Sequence, residues 1–210
     1  MNENHARVCP SPEWAAHIQQ EILPSLLQHA DLGEDMLEIG PGPGAATEWL
    51  RHRVSRLTAV EVDPDAAREL ADKFPERTVT VVTGSATELG YPDESFDSVG
   101  TFTMLHHVPT VAQQNKILAE ALRVLRPGGV LIGSDSLASN GLHHFHESDT
   151  YNPVDPASLL GRLQTLGFEK LTIMVDESLM FVAHRPAAGP AECGQAECGP
   201  AECGQAEGAS

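Results

Sequence analysis

From Met36 onward, short apolar runs alternate with amphipathic stretches at a steady spacing. Met36-Leu37-Glu38-Ile39 reads as a strand, Gly40-Pro41-Gly42-Pro43-Gly44 as a turn, and Ala45 to Leu50 as the first turns of a helix. The period then repeats. Leu57 to Val60 predicts a second strand, and Asp63-Pro64-Asp65 caps a helix running to about Phe74. Thr78–Val82 and Phe96–Thr101 predict strands three and four, and Val111–Leu125 a helix stopped by Pro127-Gly128-Gly129. Val130 to Gly133 predicts strand five. Asp155-Pro156 opens a last helix that Gly167 ends. Phe168–Val175 and Leu179–His184, joined at Asp176-Glu177-Ser178, read as an antiparallel hairpin. Strands and helices alternating through short links predict an α/β fold, a mostly parallel sheet with helices on both faces.

The flanks differ from this core. Ser11-Pro12-Glu13 is a helix start, and Trp14, Ile18, Ile22, Leu26 and Leu27 recur at helical spacing, so residues 1–30 form a helical cap. Residues 31–186 form the single main domain. Within it the polar, His- and Ser-rich stretch 136–155 reads as a partly irregular flap. Residues 187–210 cycle through Ala-Glu-Cys-Gly units with nothing large to bury, the composition of a disordered tail.

Composition narrows the partners. A formal charge of −17 repels a nucleic-acid backbone, so no nucleic-acid partner is expected. No stretch has the length and apolarity of a signal peptide or a membrane span, which predicts a cytoplasmic protein with no membrane partner. Three of the four cysteines, Cys193, Cys198 and Cys203, lie in the tail and Cys9 stands alone, so no disulfide framework is expected. Nothing here predicts an oligomeric state.

The strongest chemical signal is Glu38-x-Gly40-x-Gly42-x-Gly44 at a strand-to-helix junction, with Glu61 ending the next strand. Glycines there allow a tight turn and let a ligand approach backbone at a helix N-terminus. An acid one strand later can accept both hydroxyls of a ribose. Gly40, Gly42 and Ala45 also satisfy the dinucleotide pattern, so the loop alone leaves nicotinamide and S-adenosylmethionine both open. Glu38 shifts the balance: a carboxylate beside the loop repels a diphosphate and suits the ammonium of a methionyl group.

Ser95-Phe96-Asp97-Ser98-Val99, Leu105-His106-His107-Val108-Pro109 and Leu122-Arg123-Val124-Leu125-Arg126-Pro127-Gly128-Gly129-Val130 follow in order. With the glycine loop, these segments resemble a class I S-adenosylmethionine-dependent methyltransferase of the type 11 group, which includes quinone-biosynthesis methyltransferases. The resemblance covers roughly Asp31 to Arg185. It implies a Rossmann-like sheet of seven strands in the order 3-2-1-4-5-7-6, strand seven antiparallel. S-adenosyl-L-methionine is the implied cofactor and a small molecule the methyl acceptor. The implied cofactor contacts are Glu38, Gly40, Pro41, Gly42 and Gly44 in the loop, Glu61 on the ribose and Val62 on adenine. Ser85 and Ala86 follow strand three, and Thr101 and Thr103 border the methyl-donating end. Ser85 departs from the family, in which an Asp is usual. The alternatives are a nicotinamide-dependent oxidoreductase and a non-catalytic cofactor-binding module.

Methyl transfer by in-line displacement needs alignment and dryness more than a dedicated catalytic residue. Where the acceptor must lose a proton, His106, His107 and the flap residue His146 are the candidate bases. Their plainer reading is packing and solvation. His143, His144, His146 and Glu147 have spacings that suit a substrate-facing flap better than a metal site, and no metal is expected.

Overall fold

The computed structural model describes residues 2–74 and 79–189. A seven-stranded sheet runs β3-β2-β1-β4-β5-β7-β6, the order expected from the sequence. Its strands are β1 (Asp35–Ile39), β2 (Arg56–Glu61), β3 (Val79–Thr83), β4 (Phe96–Phe102), β5 (Leu125–Ser136), β6 (Glu169–Val175) and β7 (Ser178–His184). β1 to β5 pair in parallel, and β7 alone runs antiparallel to its neighbours.

Successive residues of a strand face opposite sides of a sheet, and here both sides are buried. Leu37 and Ile39 join one apolar core with Leu118, Val124 and Leu159, from α6 (Val111–Val124) and α8 (Pro156–Leu166). Met36 joins the other, with Leu50 of α4 (Ala45–Leu50) and Leu70 of α5 (Pro64–Lys73). Asp63 and Asp155 cap α5 and α8 as expected, their side chains accepting from the first helical amides. Gly167 ends α8 at φ +106°.

Three boundaries depart from the sequence reading. α6 stops at Val124, before the proline, and β5 starts at once and runs through Pro127-Gly128-Gly129. The reason is pairing: Gly128 N donates to Arg185 O at 3.1 Å and Arg185 N to Gly129 O at 2.8 Å. The Arg185 guanidinium also takes up the Arg123 carbonyl at 3.0 Å, near the helix end.

The N-terminal helix is broken into α2 (Pro12–His17), a π-helical turn (Ile18–Ile22) and α3 (Leu23–Leu26). Pro24 has no amide hydrogen to give, so the ladder widens ahead of it. A further helix, α1 (Glu3–Val8), precedes it, capped by Asn2. The stretch after β5, expected as a partly irregular flap, contains a short helix α7 (Asn140–Phe145), capped by Ser139. The reading of the tail falls on residues 190–210, outside the described ones. Among the described residues no helix is long and apolar enough to cross a membrane.

Gly133 of β5 lies opposite Phe181 of β7, and a Cβ there would sit 2.2 Å from the Phe181 ring. The ring, fully buried, uses the missing side chain as its seat. Gly133→Ala is therefore expected to destabilise by about 1–3 kcal/mol through overpacking, and Phe181→Ala by about 3–5 kcal/mol through the cavity left. Urea denaturation of the two variants checks both values.

Candidate functional site

The glycine loop leaves β1 beside the end of β2, and its three glycines do different work. All have positive φ: Gly40 +66°, Gly42 +51°, Gly44 +82°. A Cβ on Gly40 would fall 2.2 Å from Met104 Cγ, and one on Gly44 within 3 Å of Leu70 and Phe74. Those two serve packing as well as the turn. A Cβ on Gly42 would meet nothing within 4 Å, so this position faces open space, as a ligand-facing turn requires.

Glu61 fastens the loop. Its Oε1 accepts from the amides of Val62 at 2.8 Å and Asp63 at 3.1 Å, and its Oε2 from Gly42 N at 3.3 Å. Val62 beside it is exposed. Gly84 N donates to Glu61 O at 2.9 Å, which brings the turn with Ser85 and Ala86 alongside. Ser85 Oγ lies 2.8 Å from Thr87 Oγ1 and is exposed. Pro41 is buried in the loop.

Glu38 faces the other way from the apolar residues flanking it in β1 and is 1% exposed. Its Oε2 accepts from Thr47 Oγ1 of α4 at 2.7 Å. Burial pushes its carboxyl up to about 7, against the Thr47 hydrogen bond and with the help of nearby Glu61. At the ends of β4 and β5, Thr101 Oγ1 and Ser134 Oγ are buried without a hydrogen-bond partner among the described residues. Thr103 follows with φ +51°, uncommon for a β-branched residue, and its amide donates to Ser134 O at 2.8 Å.

Thr103 also lines a cavity of about 310 Å³ beneath the N-terminal helices. Trp14, His17 and Ile18 wall one side; Ser136 to Ser139 and Leu142 wall another. His17 Nδ1 is held by Glu21 Oε2 at 3.0 Å, which orients the ring. His17 escaped the sequence reading because no motif surrounds it.

His106, His107 and His146 do come together, packed with His5 from α1. They do not line that cavity, but His106 and His146 are hydrogen-bonded to Asp135 and Leu142, which do. Burial above all holds His107 down at about 3 and His5 at about 4, and lowers His146 as well. The flap set expected from sequence is split. His144 pairs with Glu147 in the open, His143 is exposed, and only His146 is buried.

A family model described as a methyltransferase domain (Methyltransf_11) matches residues 37–133. The chain is 30% identical over 158 residues to a "Probable S-adenosylmethionine-dependent methyltransferase" of Mycolicibacterium smegmatis, covering 72% of this chain and 58% of that one. It is 32% identical over 112 residues to demethylluteothin O-methyltransferase of Streptomyces thioluteus, covering 51% and 49%. A shorter match, 44% over 68 residues, is to ribosomal RNA small subunit methyltransferase A of Novosphingobium aromaticivorans, covering 31% and 24%. The chain thus spans about half, or less, of these relatives. Among solved structures, an S-adenosylmethionine-dependent methyltransferase of Methanosarcina mazei superposes with a TM-score of 0.67 at 16% identity, covering 80% of this chain and 99% of that one.

The buried acid of β1 makes a stability prediction. The native Glu38 carboxyl, held at about 7, binds its proton more tightly than an unfolded one near 4.5. Its contribution is therefore intact below about pH 4.5 and lost as the pH rises through about 7, by up to about 3 kcal/mol. Glu38→Gln, which keeps an oxygen for Thr47, is expected to gain on the wild type at pH 8 and much less at pH 5. Thermal melts of the ligand-free protein at the two pH values check this.

Proposed function

We propose that the chain, which matches a methyltransferase domain over residues 37–133, is a class I S-adenosylmethionine-dependent methyltransferase that methylates a small molecule in the cytoplasm, held in the cavity under its N-terminal helices. One observation carries this reading: the open face of Gly42, flanked by two acids, lies at the same end of the sheet as that cavity. The residues present fit the cofactor. Gly42 offers room, Glu61 offers a carboxylate to ribose hydroxyls, and Thr101 and Ser134 offer buried hydroxyls that have no hydrogen-bond partner among the described residues. Glu38, below the loop, suits a cationic methionyl group and disfavours a diphosphate, which sets the nicotinamide alternative aside. Val62 offers an apolar surface to adenine, with Ser85 and Ala86 at its edge.

S-adenosylmethionine, when bound, supplies an electrophilic methyl on a positively charged sulfur. The chain's own part is to align the acceptor and keep water out. Trp14, Ile18 and Leu142 give the cavity an apolar wall, and Thr103 joins it to the end of β4. The base role expected of His106, His107 or His146 passes in this reading to His17. With Glu21 holding Nδ1, its Nε2 is the atom that takes the acceptor's proton.

A small acceptor is favoured over RNA by the charge of −17 and by a cavity suited in size to a metabolite. The relative named as a demethylluteothin O-methyltransferase acts on such a compound by its name, whereas the ribosomal RNA relative matches over only 68 residues.

Incubation with methyl-labelled S-adenosylmethionine and a metabolite extract is expected to label a small product; label in RNA alone would overturn the acceptor class. Calorimetry should find Glu61→Ala weaker for S-adenosylmethionine by about 1–3 kcal/mol. Gly42→Val should lose that binding while folded, whereas Gly40→Ala should lose stability, since its Cβ meets Met104. His17→Gln should lower turnover at least tenfold with cofactor affinity unchanged.

A further inference from the structure

Four histidines from three distant parts of the chain, His5, His106, His107 and His146, bring one ring nitrogen each within 4.8 Å of one another. His5, His106 and His146 are buried and His107 half-buried. Their hydrogen bonds fix which nitrogen is free. Asn2 donates through Nδ2 to Phe145 O at 2.7 Å, so its Oδ1 accepts from His5 Nδ1 at 2.9 Å. His146 Nδ1 donates to Leu142 O at 2.6 Å, and His106 Nδ1 to the Asp135 carboxylate. In the neutral rings each Nε2 is thereby left with a lone pair. Two of these lone pairs, on His5 and His146, face each other at 3.2 Å.

Two acceptors pointed at each other repel unless a cation sits between them. A proton would have to charge one ring in a site whose burial disfavours charge on both. A tetrahedral ion with metal–nitrogen bonds of 2.0–2.1 Å sets its ligands ~3.3 Å apart, close to the 3.2 Å between the His5 and His146 nitrogens. Ring nitrogens that bind metal usually have the other nitrogen donating to a carboxylate or carbonyl, the pattern found on His106 and His146. Asp135 on His106 supplies a negative charge beside the ion, and Asp149 lies 3.4 Å from His5 Nδ1.

We propose that His5, His106, His107 and His146 form a binding site for a zinc-type divalent transition-metal ion, which clips α1 and the segment after α7 to the turn that follows β4. Four protein ligands leave no open position, so the ion is structural and takes no part in methyl transfer. His5, His106 and His146 bind through Nε2, and half-buried His107 turns in to complete the shell. The site follows no sequence motif because its ligands stand at positions 5, 106, 107 and 146. Its four ligands do not line the cavity, although Asp135 and Leu142 belong both to the cavity wall and to the outer shell of the site.

The test uses the full chain stripped with chelator and titrated with Co2+. The expected result is the visible spectrum of tetrahedral cobalt, saturating at one ion per chain and displaced by Zn2+. Zn2+ should raise the thermal midpoint of the wild type. His5→Ala and His146→Ala should each weaken Zn2+ binding at least 100-fold and abolish that rise, and Asp135→Asn should weaken binding about 10- to 100-fold. Circular dichroism and S-adenosylmethionine binding report folding, and His5→Ala keeps the test alive should His146→Ala not fold. A variant with Cys9, Cys193, Cys198 and Cys203 all changed to Ser should bind as the wild type does. Absence of tetrahedral bands, thiolate-to-cobalt charge transfer, loss of binding in the cysteine-free variant, or unchanged affinity in folded His5→Ala would each overturn the site.

Discussion

A carboxylate buried at the carboxyl end of the central strand is the constraint around which the site is arranged. Glu38 lies between apolar neighbours in β1, and among the described residues its carboxylate accepts one hydrogen bond, from Thr47 of α4, which ties that helix to the strand end. Burying an acid without a cation costs free energy, and the loop accepts that cost at a point where a cationic ligand would relieve it. Glu61 is treated differently. Three backbone amides satisfy it, and in doing so they hold the loop after β1 against the end of β2. Two acids one strand apart thus have opposite roles, one strained by burial and the other stabilising the turn.

The sheet makes this arrangement rigid. Each of the central strands is covered on both faces, so the loop ends cannot move without disturbing packed side chains. The glycines mark the tight places: Gly40 yields to Met104, Gly44 to Leu70 and Phe74, and Gly133 to Phe181. Within the loop after β1, Gly42 alone of the three leaves empty room where a side chain would be. That contrast within one short loop separates a glycine kept for packing from one that faces a ligand.

Around the rigid end of the sheet, the covering pieces come from far apart in the chain. α2 and the π-helical turn supply Trp14, His17 and Ile18 to the cavity, and the segment after β5 supplies Ser136 to Leu142. Asn2 and Asn4 tie the first helix to the Phe145 carbonyl, so the two covers are joined to each other as well as to the sheet. The histidine cluster sits at that junction, which is where an ion would add most to closure.

Most of the elements were legible along the chain, because period-two and period-3.6 patterns, aspartate caps and Gly167 are local signals. The order of the strands in the sheet followed from the family resemblance and not from that periodicity. The loop with Glu38 and Glu61 was legible too, since its residues lie on adjacent elements at fixed spacing. Local signals failed where partners are remote. The start of β5 depends on Arg185, some sixty residues away, and the break in the N-terminal helix sits where Pro24 meets a packed face. Only the tertiary structure placed His17 on the cavity and gathered His5 with His106, His107 and His146. Side chains brought together by separate segments share no periodicity that a single stretch of chain could carry.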